Sequence, residues 1–355
     1  MFSSVQVVAR VEPHLLTCTL AHLHTFMIVT APSQDQSQNG LRPINLNSDI
    51  PGILRLLESV FGAALRAEGR PMISSNDLAA QSPAILWRLS PAAAKLALGF
   101  VWEADGRIVG NVTVLTTENR RRYLVVNVAV HPDYRRQGIA RHMMKQVETL
   151  VRQRKGNQIL LQVVKQNSAA IELYKTLEYS IIGSMTQWST SVSRLRRLEL
   201  SLDQAGPPIR EIRRQEWREA YALDCQSLHK DLHWPEQLKP DEYKTGFLIS
   251  IGNFLNGRQS ETWVTKNAQN KLVGLARISS EWGRSHELTL RVLPSWKNQM
   301  ERPLLAKLIR RLQSMSRRSV QIEHPDDDEL VNALLQEANF QPRRTLTHMR
   351  LDLKK

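Results

Sequence analysis

Residues 99–130 constrain the fold more than any other part of the chain. Gly99-Phe100-Val101-Trp102-Glu103-Ala104 and the run over 107–115 are rich in β-branched and aromatic residues, and only Asp105-Gly106 separates them. Two such runs joined by Asp-Gly predict a hairpin with a type I′ turn, because both central residues take positive φ at low cost. A nearly unbroken apolar run, 123–130, follows, the pattern of a central strand covered on both faces. The fold class expected is therefore mixed α/β, a sheet flanked by helices.

The flanking sequence supplies those helices. Leu41-Arg42-Pro43-Ile44 reads as a short strand, after which Asn47 or Ser48 caps a helix carrying Ile53, Leu56, Leu57 and Val60 on one face. Pro51 falls in its first turn, where a missing donor does no harm. A second helical region covers 76–89. Beyond the central strand, a helix over 138–155 places Ile139, Met143, Val147, Leu150 and Val151 on one stripe and ends at Gly156. A strand over 158–164, a helix over 168–177 and a strand over 179–189 complete the pattern.

The pattern then restarts. After a linker over 191–208, which contains Ala205-Gly206-Pro207-Pro208, strands are expected at 209–212, 261–265, 271–278, 287–293, 320–323 and 343–351. Helices are expected at 215–229, 303–314 and 328–338. Element for element this repeats the first half, so the chain reads as two diverged copies, 41–190 and 209–355. A length of 355 residues suits two domains of ordinary size. Residues 1–40 end in the polar run Ser33-Gln34-Asp35-Gln36-Ser37-Gln38-Asn39-Gly40 and are expected to be a poorly ordered extension.

Charge narrows the partners. The chain carries 48 Lys+Arg against 34 Asp+Glu, a formal +14, so anions are the first expectation. Residues 120–155 hold ten basic and two acidic side chains, more than half of that excess in about a tenth of the length. No zinc-finger, helix-turn-helix or base-stacking signature accompanies them, so nucleic acid is not the expected partner. The cluster at 152–155 also reads as a solvated helix face. Only Cys18 and Cys225 are present, and the ten His residues form no ligand pattern; neither a disulfide framework nor a metal site is expected, and a reducing cytoplasm fits. No apolar run reaches the ~18 residues that a membrane span needs.

The segment that carries chemistry is Val128-Ala129-Val130-His131-Pro132-Asp133-Tyr134-Arg135-Arg136-Gln137-Gly138-Ile139-Ala140. Pro132 ends the strand ladder because it has no backbone donor. Gly138 and Ala140 then keep bulk away from the first turn of a helix, whose unpaired amides sit at the positive end of its dipole. Such a turn can cradle a pyrophosphate, with Arg135, Arg136 and Arg141 adding positive charge. It is neither a Walker A loop nor a dinucleotide fingerprint.

This segment resembles the GCN5-related N-acetyltransferase (GNAT) superfamily, whose hallmark is Arg/Gln-x-x-Gly-x-Gly/Ala after strand four. Arg135-x-x-Gly138-x-Ala140 behind Val130-x-Pro132 matches it, and Asn167-Ser168-Ala169-Ala170-Ile171-Glu172-Leu173-Tyr174 is similar to the family's Asn-x-x-Ala-x-x-x-Tyr helix. Glu178 departs from the family, which usually has Gly there. The resemblance spans about 41–190 and implies an acetyl-CoA-dependent transfer to a primary amine, a protein N-terminal or lysine amine or a small molecule. It further implies that backbone groups of Val128, Ala129 and Val130 pair with the pantetheine arm, in a slot opened by a bulge that splays strands four and five. Amides among Arg136, Gln137, Gly138, Ile139, Ala140 and Arg141 would hold the pyrophosphate, and Asn167 the arm. Tyr174 would protonate the departing thiolate, and a strand-four amide near Val130 would stabilise the oxyanion. Tyr174 also reads as a core tyrosine, sharing a face with Ala170 and Leu177. For the base, Glu118 and His131 are candidates, though both also read as surface residues.

In the second half, Val292-x-Pro294 overlays Val130-x-Pro132 and sets Met300, Glu301 and Arg302 against Gly138, Ile139 and Ala140. Leu335 stands against Tyr174. Bulk and a carboxylate at the cradle predict a copy that keeps the fold without the cofactor, shaping the acceptor site or packing as a pseudo-dimer partner, in a monomer or a homodimer. A non-catalytic CoA sensor or interaction protein is the alternative from another class.

Overall fold

A computed structural model of the chain describes residues 39–67, 98–198, 207–234, 237–244 and 257–354. The helix expected over 76–89 and the extension before Asn39 lie outside the described residues. The chain packs as two compact units: one runs to Leu160 and takes back the chain end from Asp352, and the other is Leu161–Leu351.

The first unit is built on an antiparallel meander of β1 (Gly40–Pro43), β2 (Leu98–Ala104), β3 (Arg107–Thr116) and β4 (Arg122–Val130). The β2–β3 turn is type I′ as expected, with Asp105 at φ 50° and Gly106 at φ 69°. Helix α1 (Ile50–Ala67) starts later than Asn47 or Ser48 would set it. The buried carboxylate of Asp49 holds the turn before it, accepting from the Asn45 amide at 2.7 Å and the Arg42 guanidinium at 2.7 and 2.9 Å. Its apolar face packs Ile53, Leu56 and Leu57 on Val101 and Ala129.

Helix α2 (Ile139–Gln153) also packs on this meander, and Gly110 sets how closely. A Cβ there would lie 2.9 Å from Trp102, 3.1 Å from Ile139 and 3.2 Å from Met143, so any larger residue would push the helix off the sheet. The end of α2 differs from expectation. Lys155, at φ 59°, takes the left-handed position expected of Gly156, and the Gly156 amide closes on Val151 at 2.9 Å. Gly156 is needed for space instead: a Cβ would come within 2.4 Å of Val151 and 2.7 Å of the Tyr123 ring. β5 (Gln158–Val164) begins in this unit and ends in the other.

The second unit contains α3 (Ser168–Lys175), β6 (Ser180–Ser191), a short helix α4 (Val192–Leu195), β7 (Ile209–Glu211), α5 (Trp217–Ser227), β8 (Arg258–Lys266), β9 (Leu272–Glu281), β10 (His286–Val292), α6 (Glu301–Gln313), β11 (Ser319–Pro325), α7 (Glu329–Glu337) and β12 (Gln341–Asp352). The elements of the second copy fall where the repeat puts them. Residues 192–195, expected as linker, are instead a helix whose Val192 and Leu195 are buried with α6 and α7. The strand order is β12-β6-β11-β10-β9-β8-β7. β6, the last strand of the first copy, is thus hydrogen-bonded between the last two strands of the second, antiparallel to both. Packing units and sequence repeat do not share a boundary, because β6 buries its backbone in the sheet of the other copy.

Gly274 repeats the role of Gly110. It stands opposite Val292 as Gly110 stands opposite Val130, and a Cβ there would meet Leu304 of α6 at 2.7 Å. α5 covers the opposite face through Ala220 and Leu223, packed on Val264 and Leu275.

Candidate active site

The first unit contains the turn expected to cradle a pyrophosphate. After β4, Pro132–Tyr134 forms a 3-10 turn, Arg135 is extended, Arg136 is left-handed at φ 65°, and Gly138 caps α2 at φ 78°. The first bond of the helix is His142 N–H to the Gly138 carbonyl at 3.0 Å, so the amides of Ile139, Ala140 and Arg141 precede any intrahelical acceptor. At Gly138 a Cβ would meet only the His142 ring, at 3.5 and 3.6 Å. Conformation, more than space, therefore asks for glycine here.

Individual side chains divide the work. Ile139 is buried under Gly110 and Ala129 under α1, so both anchor backbone, while Val128, Val130, Ala140 and Arg141 are half-buried. Arg136, Gln137 and Gly138 are exposed. Arg135 turns back, donating from Nε to the Val130 carbonyl at 3.2 Å, and so straps the turn to the strand end. His142, which sequence reasoning missed, places Nδ1 3.0 Å from the Gly138 carbonyl and its ring 5.9 Å from that of Trp102. Of the candidate bases, Glu118 is exposed and His131 half-buried, 3.6 Å from Asp133.

β4 is not a regular strand. Gly110 pairs with Val130 and Asn111 with Ala129, but Thr113 pairs with Val126, so Asn127 and Val128 together oppose Val112 alone. This is a β-bulge, with Asn127 left-handed at φ 54°. The fully buried Asn111 reaches across it, donating from Nδ2 to the Asn127 carbonyl at 2.8 Å. The bulge therefore falls at the start of the Val128–Val130 stretch that the sequence singles out.

Asn167 and Tyr174 lie in the second unit, on α3. Asn167 caps that helix, its Oδ1 accepting from the Ala170 amide at 3.2 Å. Its side-chain N–H donors are not used in that cap. Tyr174 is buried, with its ring 5.8 Å from Tyr179. Burial pushes the phenol well above its ordinary range. Glu178, where a glycine was expected, is left-handed at φ 64°.

The corresponding turn of the second copy has the same outline and a different centre. Pro294–Trp296 is again a 3-10 turn, and Asn298, at φ 66°, repeats the left-handed Arg136. Met300, in place of Gly138, is right-handed at φ −111° and points into the core. Glu301 is buried at the helix start, and its Oε2 accepts from the Met300 amide at 3.1 Å. A protein carboxylate thus sits at the helix N-terminus, where an anion would otherwise be favoured. β10 pairs with β9 without a bulge, and with β11 only over His286–Leu288. Beyond Leu288 a small pocket is lined by Arg291, Lys297, Glu301, His324 and Asp328. Among the described residues no group of three or more His, Cys, Asp and Glu could hold a metal, and no helix is long and apolar enough to cross a membrane.

Residues 70–179 match the Acetyltransferase (GNAT) family. The chain is 34% identical over 89 residues to an acetyltransferase of Pectobacterium atrosepticum, a match that covers 25% of this chain and 62% of that protein. Among solved structures it resembles a GCN5-related N-acetyltransferase from Sphaerobacter thermophilus, with a TM-score of 0.55 at 15% identity over 89% of this chain and 96% of that one. A tandem GNAT protein from the clavulanic acid biosynthesis pathway aligns over 89% of this chain and 98% of its own at 16% identity, with a TM-score of 0.47.

Proposed function

We propose that the chain is an acetyl-CoA-dependent N-acetyltransferase with one working centre, in its first copy, acting on a primary amine by direct attack. The observation that carries this reading is the pairing of a bulged β4 with the Gly138 turn, both absent from the second copy. The turn fits a diphosphate: its centre is a glycine at φ 78°, no side chain crosses the space a Cβ would take except the His142 ring, and three first-turn amides precede any helical acceptor.

Acetyl-CoA supplies the activated acyl carbonyl when bound. The amides at 136–141 and the exposed Arg136 take the diphosphate charge, and backbone groups of Val128–Val130 orient the arm. An amide near Val130 faces the oxygen on which negative charge develops. The C–N bond forms as that charge develops, and Tyr174 then gives its proton to the sulfur as the C–S bond breaks. The attacking amine has an ordinary pKa near ~10, so it loses a proton to a base or a water relay before or during attack.

The test is Tyr174→Phe in an assay that follows free thiol release from acetyl-CoA across a panel of amines. Turnover is expected to fall about a hundredfold, with acetyl-CoA affinity within about twofold of the parent. Unchanged turnover removes Tyr174 from the acid role. Acetyl-CoA binding by the parent with no thiol release for any amine would favour a sensor over an enzyme.

A further inference from the structure

Residues 192–198 and 310–318 are far apart in the sequence, and together they hold seven arginines, no lysine and no Asp or Glu. The fold brings them together at one end of the second unit. Val192 and Leu195, both fully buried, seat α4 against α6. The Gln313 side chain donates to the Leu195 and Leu198 carbonyls at 2.8 and 3.2 Å, and the Val192 amide to the Arg318 carbonyl at 3.0 Å. Arg196 ties the same junction, donating to the Gln313 and Met315 carbonyls at 2.9 Å each. A stretch that reads as a linker is therefore pinned by its apolar side, which leaves Arg194, Arg196 and Arg197 exposed.

Folding uses only part of this charge. Arg311 is paired with Glu261 through two bonds of 2.6 Å, and Arg318 donates to the Glu281 carbonyl at 2.8 Å. Arg194, Arg197, Arg310 and Arg317 are exposed at α4, at the last turn of α6 and in the loop after it. The helix dipole favours a cation in the last turn, which accounts for Arg310 but not for Arg197 or Arg317. A cofactor diphosphate does not account for them either. α6 has 13 residues, so this end lies about 20 Å from the turn at Met300.

We propose that this end of the second unit docks duplex RNA by its phosphodiester backbone, without regard to sequence. Guanidinium groups suit that partner, since each can meet a phosphate with two parallel N–H donors. The two segments contain no aromatic residue on which an unpaired base could stack, which disfavours a single strand. α4 has four residues, about 6 Å of helix, too short to read a DNA major groove. An A-form RNA duplex closes its major groove to side chains and is recognised by shape and backbone, which a pinned set of arginines can supply. Missing base-reading motifs exclude sequence readout and leave backbone contact open. The proposal does not depend on the transferase reading.

The experiment is fluorescence anisotropy of the full chain with an RNA duplex of about 20 base pairs, at about 50 to 200 mM salt. Two triple variants are compared. Arg194→Gln, Arg197→Gln and Arg317→Gln together strip the surface, whereas Lys175→Gln, Lys230→Gln and Lys271→Gln remove the same charge from exposed positions elsewhere. In the arginine variant the slope of log affinity against log salt should become shallower by about 2–3, with affinity at low salt at least about tenfold weaker. The lysine variant should stay within about twofold of the parent. Equal losses in both variants, or no binding by the parent, overturn the proposal. So does tighter binding of polyglutamate, or of a DNA duplex of the same sequence, than of the RNA. Should the arginine variant melt below the parent, Arg317→Gln alone, outside helix and strand, is read against Lys271→Gln alone. A slope change of about 1 is then expected of Arg317→Gln only, and its absence overturns the proposal.

Discussion

The two copies keep one turn and use it in opposite ways. In the first, the chain passes from β4 through a left-handed Arg136 to a left-handed Gly138, and both residues are exposed. In the second, the same path through Asn298 arrives at a right-handed Met300, whose side chain is core and whose amide is taken by Glu301. One backbone dihedral and one carboxylate separate a turn open to an anion from a turn that carries its own. The strands differ in the same sense. β4 is bulged beside the small Ala129, whereas β10 is regular and carries Arg291, tied from Nε to Asp224 at 2.9 Å. The two copies thus pack a helix on the sheet in the same way around different turns, with Gly110 against α2 and Gly274 against α6.

If the second slot has become a structural element, breaking its internal pair should cost stability, and this is the largest effect expected. Asp224 is 1% exposed, accepts from Tyr243 Oη at 2.6 Å, and is held below the usual carboxylate range by Arg291, Tyr243 and His233 despite its burial. Asp224→Ala would leave the Arg291 charge buried beside a cavity, and is expected to destabilise the protein by about 3–5 kcal/mol in urea unfolding. A loss under about 1 kcal/mol would mean that the pair is incidental and that the copies differ less than their strands suggest.

That pair also marks where reading the sequence stopped. Asp224 and Arg291 are 67 residues apart, and neither has a local pattern that names the other. The same holds for β6: its alternation identified a strand, but nothing local in residues 180–191 indicates that its neighbours are β11 and β12. Short-range features were legible because their causes are short-range. Asp105-Gly106 set its turn by backbone freedom, and Val130-x-Pro132 through Gly138 set the strand end and helix start. The bulge falls between these cases. The extra residue is invisible in an apolar run, and Asn127, the one polar side chain within Val125–Val130, was the available hint, since Asn tolerates the left-handed region.

The middle-sized effect tests the open turn directly. Gly138→Glu forces a carboxylate into the position that Glu301 approximates in the second copy, on a backbone at φ 78° that suits no β-carbon. Acetyl-CoA affinity measured by calorimetry is expected to fall about a hundredfold, or about 2.7 kcal/mol. Gly138→Ala separates the causes. Its methyl group meets only the His142 ring, so it carries the backbone strain without the charge and should lose about 1 kcal/mol of stability and little affinity. Equal affinity losses in the two variants would mean that strain, and not repulsion, closes the turn, and the contrast with Glu301 would lose its force.

The smallest effect concerns how each copy ends the helix after its cap. Both helices close the same way: Tyr179 N–H returns to the Tyr174 carbonyl at 3.0 Å, and Phe340 N–H to Leu335 at 2.9 Å. The residue before each, Glu178 or Asn339, is left-handed, at φ 64° and 59°. Asparagine enters that region with modest strain, while glutamate has no local hydrogen bond to offset its Cβ clash. Glu178→Gly should therefore raise stability by about 0.5–1 kcal/mol, the strain relieved less the extra freedom of glycine in the unfolded chain. For a unit of this size that is a rise of about 2 °C in melting temperature. Asn339→Gly, starting from the better residue, should gain less. A larger gain at Asn339 than at Glu178 would show that side-chain contacts, and not the backbone, decide these helix ends. The residue that departs from the family's pattern would then be no strain on the first copy at all.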